Sequence, residues 1–200
     1  MKIEFDNKLK IMEQKYKEEI RKYHEKPENF QKKNFFSQSN IVKLNEIDLI
    51  LSWFEKKPNS VNLLLNANID DNFWNAFYNN CGNKPNTMIF IKTTNNIRFG
   101  GFTSSIWPTD GAAQDKDSFI FSLSKKQKYK VINQNNAIGV SKNSWISFGN
   151  GYDLYLYNGL RSSGGGTYKN SYDIEGNRYD LNNGNNDFKL SNCEIYQIEF

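Results

Sequence analysis

Residues 87–104 read TMIFIKTTNNIRFGGFTS, and this stretch decides the fold class. Its two runs, TMIFIKT and NIRFGGFTS, are rich in β-branched and aromatic residues, a composition typical of β-strands. Five further runs of this kind follow along the chain: SFIFSL, YKVI, AIGVS, DLYLY and CEIYQIEF. Because Asn and Gly punctuate these runs and no helical pattern separates them, they predict an antiparallel β-sandwich or barrel.

The sequence before residue 85 has mainly helical patterns. Residues 44–57 and 70–81 predict two short amphipathic helices. Residues 8–25 lack Gly and Pro and are rich in strong helix formers, which predicts an N-terminal helix. Its apolar residues recur at spacings of three and four and form one narrow stripe: Leu9, Met12, Tyr16, Ile20 and Tyr23. Because a helix of this length is marginal alone, we expect the stripe to dock on the body of the protein, on a second copy or on another protein, and we assign its residues to partner binding.

A change of composition after the N-terminal helix predicts the domain boundary. Pro27 ends the helix, and a polar linker follows it. We therefore assign residues 1–37 to a coiled-coil-like amphipathic helix with its linker and residues 38–200 to a folded domain. The aromatic residues of that domain recur at helical or alternating spacing, so we expect them mostly in its core: Trp53, Phe54, Phe73, Trp74, Phe77, Trp107, Phe119, Phe121 and Tyr155.

The composition excludes several classes of protein. Aromatic residues make up 15% of the chain, far more than a disordered chain carries. Residues 1–36 hold ten Lys/Arg against seven Asp/Glu and the remainder sixteen against fifteen, so we do not expect nucleic acid as a partner. No stretch approaches the roughly 20 apolar residues of a membrane span, and the initial MKIEFDNKLK lacks the apolar core of a signal peptide. We expect a cytoplasmic protein without an integral membrane segment.

The sequence offers little for catalysis or cofactors. Two cysteines and one histidine are too few for a four-ligand zinc site, and the tract at 162–166, SSGGG, lacks the Lys-Ser/Thr of a phosphate-binding loop, so we expect a flexible loop there. Carboxylates within residues 173–187 leave a loose cation site open: Asp173, Glu175, Asp180 and Asp187. Cys81 is a candidate redox thiol, although the end of the predicted helix would raise its pKa. We expect neither an enzyme nor a cofactor.

From about residue 38 to residue 200, the order of motifs resembles the TLDc domain, the module of oxidation-resistance and nuclear-receptor-coactivator-like proteins. The resemblance rests on IDLILSWF, LLLNANID, FWNAFYNNCGNKPNTMIFIKT, IRFGGFTSSIWPTDGA, DSFIFSL, SFGNGYDLYLY and CEIYQIEF. Six residues of these motifs have structural roles by this resemblance: Gly100, Gly101, Trp107, Gly149, Gly151 and Asp153. Within a strand, the pair Gly100-Gly101 indicates either a β-bulge or a close contact of the sheet.

This resemblance implies a mainly β domain of α+β type, a two-layer antiparallel β-sandwich with short helices and no established enzymatic chemistry. It also implies a protein partner, the vacuolar-type proton-pumping ATPase (V-ATPase), and a link to oxidation resistance. One alternative is a structural component that its N-terminal helix and loops anchor in a cytoskeletal or other large assembly. A third hypothesis, an enzyme that consumes peroxide, would use the Cys81 thiol.

Overall fold

The computed structural model describes residues 10, 12–16, 34–67, 73–159 and 164–200. The chain divides into two compact units, Met1–Ser37 and Gln38–Phe200. In the first unit, residues 12–16 are helical and exposed, within the range where the sequence predicts a helix. Within the described ranges, no helix combines the length and the apolar character that crossing a bilayer requires.

Two six-stranded antiparallel sheets form the body of the second unit. Sheet I has the order β1-β12-β2-β3-β5-β6, and sheet II has the order β11-β10-β9-β8-β7-β4. The strands are β1 (Ser60–Ala67), β2 (Thr87–Thr93), β3 (Arg98–Thr103), β4 (Gly111–Ala113), β5 (Phe119–Ser122), β6 (Gln127–Lys130), β7 (Ile138–Ser141), β8 (Trp145–Phe148), β9 (Leu154–Tyr157), β10 (Gly165–Thr167), β11 (Asp187–Phe188) and β12 (Leu190–Glu199). The predicted antiparallel β-sandwich is confirmed.

Short helical segments accompany the sheets. A 3-10 turn at Leu44–Glu46 leads into α1 (Ile47–Leu51), and α2 (Phe73–Cys81) lies between β1 and β2. Two further 3-10 turns occupy Gln134–Asn136 and Asp180–Asn182. The prediction of a single helix over residues 44–57 is wrong, because α1 ends at Leu51.

Tertiary packing explains the early end of α1. The backbone N–H of Phe54 donates to the carbonyl of Leu51 at 3.3 Å, a 3-10 bond that tightens the exit of the helix. The Phe54 ring then packs edge-on against Phe102 and Phe119, with centroid distances of 5.0 and 5.6 Å. The ring contacts of this half-buried aromatic side chain therefore prevail over the helix propensity of residues 52–57.

The central strand β2 of sheet I is buried on both faces. Ile89 and Ile91 of β2 enter the main core of the unit, while the alternate side chain Phe90 points to the outer face. There Phe90 packs against Phe121 with a centroid distance of 5.3 Å, and Trp53 packs on Phe121 at 5.0 Å. Since both faces of this strand are buried, its sequence is apolar without polar alternation.

A buried ion pair fastens the segment around α1 to sheet I. Arg98 of β3 donates from Nη1 and Nη2 to the two carboxylate oxygens of Glu46, at 2.6 and 2.7 Å. Arg98 also donates to the carbonyl of Ile41 at 2.9 Å, and the Lys43 backbone N–H donates to Glu46 at 2.9 Å. This network fixes where the segment crosses the outer face of the sheet.

Candidate interaction surface

The outer face of sheet II carries a group of aromatic side chains. In β8 and β9, Ile146, Phe148, Leu154 and Leu156 lie in the core. Because side chains alternate along a strand, Trp145, Tyr155 and Tyr157 point away from that core. Trp145 pairs directly with Tyr157 across the two strands, which brings their side chains onto the same face.

Tyr152 completes this group from the turn between β8 and β9. Its ring lies 4.9 Å from that of Trp145 and 5.6 Å from that of Tyr155, while the rings of Tyr155 and Tyr157 lie 5.2 Å apart. The interplanar angles are 86°, 68° and 83°, so successive rings meet edge to face. We call these four residues, Trp145, Tyr152, Tyr155 and Tyr157, the aromatic face.

Glycines let two of these rings lie close to the sheet. A Cβ atom at Gly166 would lie 2.4 Å from the Tyr155 hydroxyl oxygen and 2.6 Å from ring carbons of Tyr155. A Cβ atom at Gly139 would lie 3.5 Å from Cζ3 of Trp145. The Tyr155 ring therefore lies against the backbone of Gly166, and the Trp145 ring extends over Gly139. Both rings pack flat on the outer face of the sheet because these glycines have no side chain.

The aromatic face is partly open to solvent. Tyr152 is 41% exposed and Tyr157 39% exposed, whereas Trp145 and Tyr155 are half-buried. Burial raises the pKa of Tyr155 to about 12, and the neighbouring Tyr157 and the Asp187 carboxylate raise it further. The Tyr155 side chain is therefore a neutral phenol at physiological pH, with its hydroxyl protonated.

Of the residues predicted to bind a partner, the structure describes two. Met12 and Tyr16 are helical and 67% and 69% exposed. The other three residues of the stripe, Leu9, Ile20 and Tyr23, lie outside the described residues. Partner binding by this stripe stays a prediction.

The Gly100-Gly101 pair lies in a close contact of the sheets. Both glycines pair with β2 and β5 in continuous register, so β3 carries no bulge at this point. A Cβ atom at Gly101 would lie 2.6 Å from the ring of Phe148, across the core, and one at Gly100 would lie 1.9 Å from the carbonyl oxygen of Ile89. Only hydrogen fits at these two positions.

Trp107 is buried in the same core. Its indole N–H donates to the Thr87 hydroxyl at 2.8 Å, and its ring meets Phe77 and Phe148 edge-on at 5.3 and 5.4 Å. These contacts satisfy the one polar atom of the indole and surround its apolar body. Trp107 therefore joins α2 to both sheets.

The motif from Gly149 to Asp153 shapes the turn before β9. The fully buried Asp153 carboxylate accepts backbone N–H bonds from Asn170, Ser171 and Tyr172 at 2.8 to 2.9 Å. Burial raises the pKa of Asp153, and these hydrogen bonds act in the opposite direction.

The two glycines of that motif make room for their neighbours. Gly149 has a φ of +81°, and a Cβ atom there would lie 2.1 Å from the Asp153 carboxylate. A Cβ atom at Gly151 would lie 2.2 Å from the Asn170 side chain. The conformation and the crowding of this turn therefore both favour glycine.

The environment of Cys81 opposes thiolate chemistry. The side chain is fully buried in the main core, where burial raises its pKa to about 12. Cys193 is also a buried free thiol in that core, and burial raises its pKa as well. From the sequence, we expect the end of the helix to raise the pKa of Cys81, whereas in the structure the main cause is burial of the thiol. A redox role stays a prediction that this environment disfavours.

The carboxylates within residues 173–187 do not converge. Asp180 forms an ion pair with Lys125 and accepts a hydrogen bond from Tyr129 at 3.2 Å. In the part of the chain that the structure describes, no three His, Cys, Asp or Glu side chains are grouped as metal ligands would be.

The glycine tract at 162–166, which the sequence predicts to be a loop, is not wholly a loop. Gly165 and Gly166 belong to β10.

Sequence reasoning assigned Tyr155 to the core, and that assignment is wrong. The signal that identifies its orientation is present in DLYLY, where Leu154 and Leu156 alternate with Tyr155 and Tyr157. An alternation of this kind places the two leucines on one face and the two tyrosines on the other. The sequence did not predict the aromatic face, because Tyr155 was interpreted as a core residue.

The family model described as the TLDc domain matches residues 35–199, which covers β1 to β12. No curated protein matches the chain.

Proposed function

Because this chain belongs to the TLDc domain family, we propose that it is a non-catalytic protein-interaction module whose partner contacts the aromatic face. The observation that carries this proposal is the group of four aromatic side chains on the outer face of sheet II. Two of these side chains, Tyr152 and Tyr157, are about two-fifths exposed. Contiguous exposed aromatic area of this kind is typical of binding surfaces.

The chemistry of the aromatic face suits protein recognition. Trp and Tyr are enriched at interfaces and among the residues whose truncation weakens binding most, because they combine large apolar area with a polar atom. Each has only two side-chain torsions to fix, so ordering it on binding costs little entropy. The edge-to-face contacts and Gly166 beneath Tyr155 already hold the rings in place, which lowers that cost further.

The partner that we propose is the cytosolic sector of a V-ATPase, and the role is a contribution to oxidation resistance in the cytoplasm. The family to which the chain belongs supports this choice. The exposed apolar side chains of Met12 and Tyr16, in the first unit, offer a second contact. The same two side chains favour the alternative of a structural component anchored in a cytoskeletal assembly.

Affinity purification from native lysate tests the proposal. The double variant Tyr152→Ser/Tyr157→Ser removes the two exposed rings, and Ile132→Ser is the matched control because Ile132 is 60% exposed but does not belong to the aromatic face. We expect proton-pump subunits with the wild type and with the control, and at least a tenfold loss with the double variant. Equal recovery of pump subunits by all three proteins would refute the role of the aromatic face.

The outcome with other partners separates the two functions. Recovery of cytoskeletal proteins in place of pump subunits would favour the structural alternative.

A second variant tests whether the rings of the aromatic face are preorganised for binding. Gly166→Ala places a methyl group against Tyr155 and must displace its ring. We expect this variant to bind more weakly than the wild type while every aromatic side chain remains present.

A further inference from the structure

A groove on the outer face of sheet I is separate from the aromatic face. It has a volume of about 560 Å³ and lies between the segment that follows α1 and the edge strand β6. Trp53, Phe54, Phe102 and Phe119 line its apolar part, and Lys128 and Lys130 line its side toward β6. A cavity of about 300–1,000 Å³ is typical of sites for small organic molecules.

The floor of the groove is aromatic and firmly packed. Phe102 and Phe119 stack with centroids 5.1 Å apart, and both contact the ring of Phe54. The ring of Phe200 also contacts Phe54, with a centroid distance of 5.5 Å. An apolar ligand on this floor would meet ring faces and edges that are already in place.

Two lysines of β6 point to the same side as this floor. Lys128 pairs across the strands with Phe121, and Lys130 pairs with Phe119. The ammonium group of Lys128 donates to the carbonyl of Trp53 at 2.7 Å and lies 5.2 Å from the centre of the Phe119 ring. One of its three protons is therefore engaged, and its charge faces the aromatic floor.

Positive charge predominates around the groove. Its lining contains four lysines and two acidic side chains, and Lys116 forms an ion pair with Asp117 at 3.0 Å. In the described ranges, no ion pair joins Lys128 or Lys130 to a carboxylate. Burial lowers the pKa of Lys128, and the neighbouring Lys130 lowers it further, while Glu55 acts in the opposite direction. An anion beside these lysines would relieve their repulsion.

We propose that this groove binds a small organic carboxylate with an aromatic or aliphatic body. The apolar body would lie on Phe54, Phe102 and Phe119, and the carboxylate would accept charge-assisted hydrogen bonds from Lys128 and Lys130. This arrangement combines an apolar surface with a few polar groups that orient the ligand, as small-molecule sites do. The groove and the aromatic face lie on different sheets, so the two proposals are independent.

Calorimetric titration of the full chain tests this proposal. The probe is naphthalene-2-carboxylate, and 2-naphthylmethanol is the neutral control of similar shape. We expect saturable binding of the carboxylate at one site, at least tenfold tighter than binding of the alcohol, and weaker binding as salt increases.

Charge-removing variants locate the site. Lys128→Gln/Lys130→Gln should weaken binding of the carboxylate at least tenfold and leave binding of the alcohol unchanged. Lys169→Gln removes one positive charge from an exposed residue outside the lining, as Lys130→Gln does within it, and should bind like the wild type. Because Lys128 also holds the Trp53 carbonyl, the single variant Lys130→Gln and a thermal unfolding curve distinguish lost binding from lost structure.

Several results would overturn the proposal. These are the absence of saturable binding by the wild type at millimolar probe, equal affinities for the carboxylate and the alcohol, or an unchanged affinity in a folded Lys128→Gln/Lys130→Gln variant. An equal loss of affinity in Lys169→Gln would also refute it, since the effect would then follow net charge alone.

Discussion

Substitution of Glu46 by glutamine isolates the contact that holds the segment around α1 on sheet I. In the wild type, both carboxylate oxygens accept hydrogen bonds from Arg98, and the side chains of the pair are 6% and 12% exposed. The variant Glu46→Gln keeps the shape but leaves the Arg98 guanidinium buried without a counter-charge. We therefore expect a large loss of stability from a nearly isosteric change.

The expected magnitude follows from this burial. Removing one partner of a buried ion pair costs about 3–5 kcal/mol. Glutamine retains one oxygen that can accept from Arg98, and the Ile41 carbonyl continues to accept another of its N–H groups, so we expect the lower end, about 3 kcal/mol. For a domain of this size, that loss lowers Tm by roughly 6–12 °C.

The pH dependence of the same variant gives an independent check. Burial raises the pKa of Glu46, but the hydrogen bonds from Arg98 and from the Lys43 backbone outweigh it, so the net pKa lies below its usual value. Its stabilising effect is complete above the unfolded-state pKa, about 4.3, and is lost as the pH falls through the lower folded-state pKa. The stability difference between wild type and Glu46→Gln should therefore be constant from pH 7 to about 5 and shrink toward pH 3.

Urea unfolding curves measure these differences. The double variant Glu46→Leu/Arg98→Met removes both charges and should recover most of the lost stability. Lys116→Gln breaks the exposed pair with Asp117 and should leave the unfolding curve unchanged. A loss below about 1 kcal/mol in Glu46→Gln, or an equal loss at pH 3 and pH 7, would refute this reasoning.

Three further predictions concern the core, the thiol and the domain boundary. Gly101→Val places a side chain against the buried Phe148 ring and should destabilise the fold by about 1–3 kcal/mol in urea; an unchanged midpoint would contradict the close contact. Peroxide consumption by the wild type should equal that of Cys81→Ser, because the thiol is buried, and activity lost in the variant would contradict a non-catalytic module. Residues 38–200 alone should unfold in one sharp transition, and a broad transition would show that the first unit belongs to the core.

The sequence predicted best those strands that are buried on both faces or that alternate clearly. The run TMIFIKT coincides with β2, because nearly every residue of that strand is buried and apolar or β-branched. All but the last residue of the run CEIYQIEF, Phe200, belongs to the longer β12. The register of such strands depends on the same residues that identify them, so local pattern and tertiary structure agree.

Other elements depend on contacts between residues distant in sequence. The glycines of β10 have no β propensity, yet a Cβ atom at Gly165 would lie 2.0 Å from the Tyr155 carbonyl oxygen, so the neighbouring strand requires glycine there. The early end of α1 depends on Phe54 meeting Phe102 and Phe119. The aromatic face was recognisable in part from DLYLY, but Tyr152 joins it from a turn with a φ of +64°, which no periodicity indicates.

Site-specific photocrosslinking tests most directly whether the aromatic face contacts the partner. A photoreactive benzoylphenylalanine is introduced at Tyr157, which is 39% exposed on this face, and at Ile132, which is 60% exposed outside it. We expect irradiation of native lysate to join the protein labelled at position 157 to V-ATPase subunits, and the protein labelled at position 132 to give no such product. Crosslinks to those subunits from position 132 but not from position 157 would contradict the proposal.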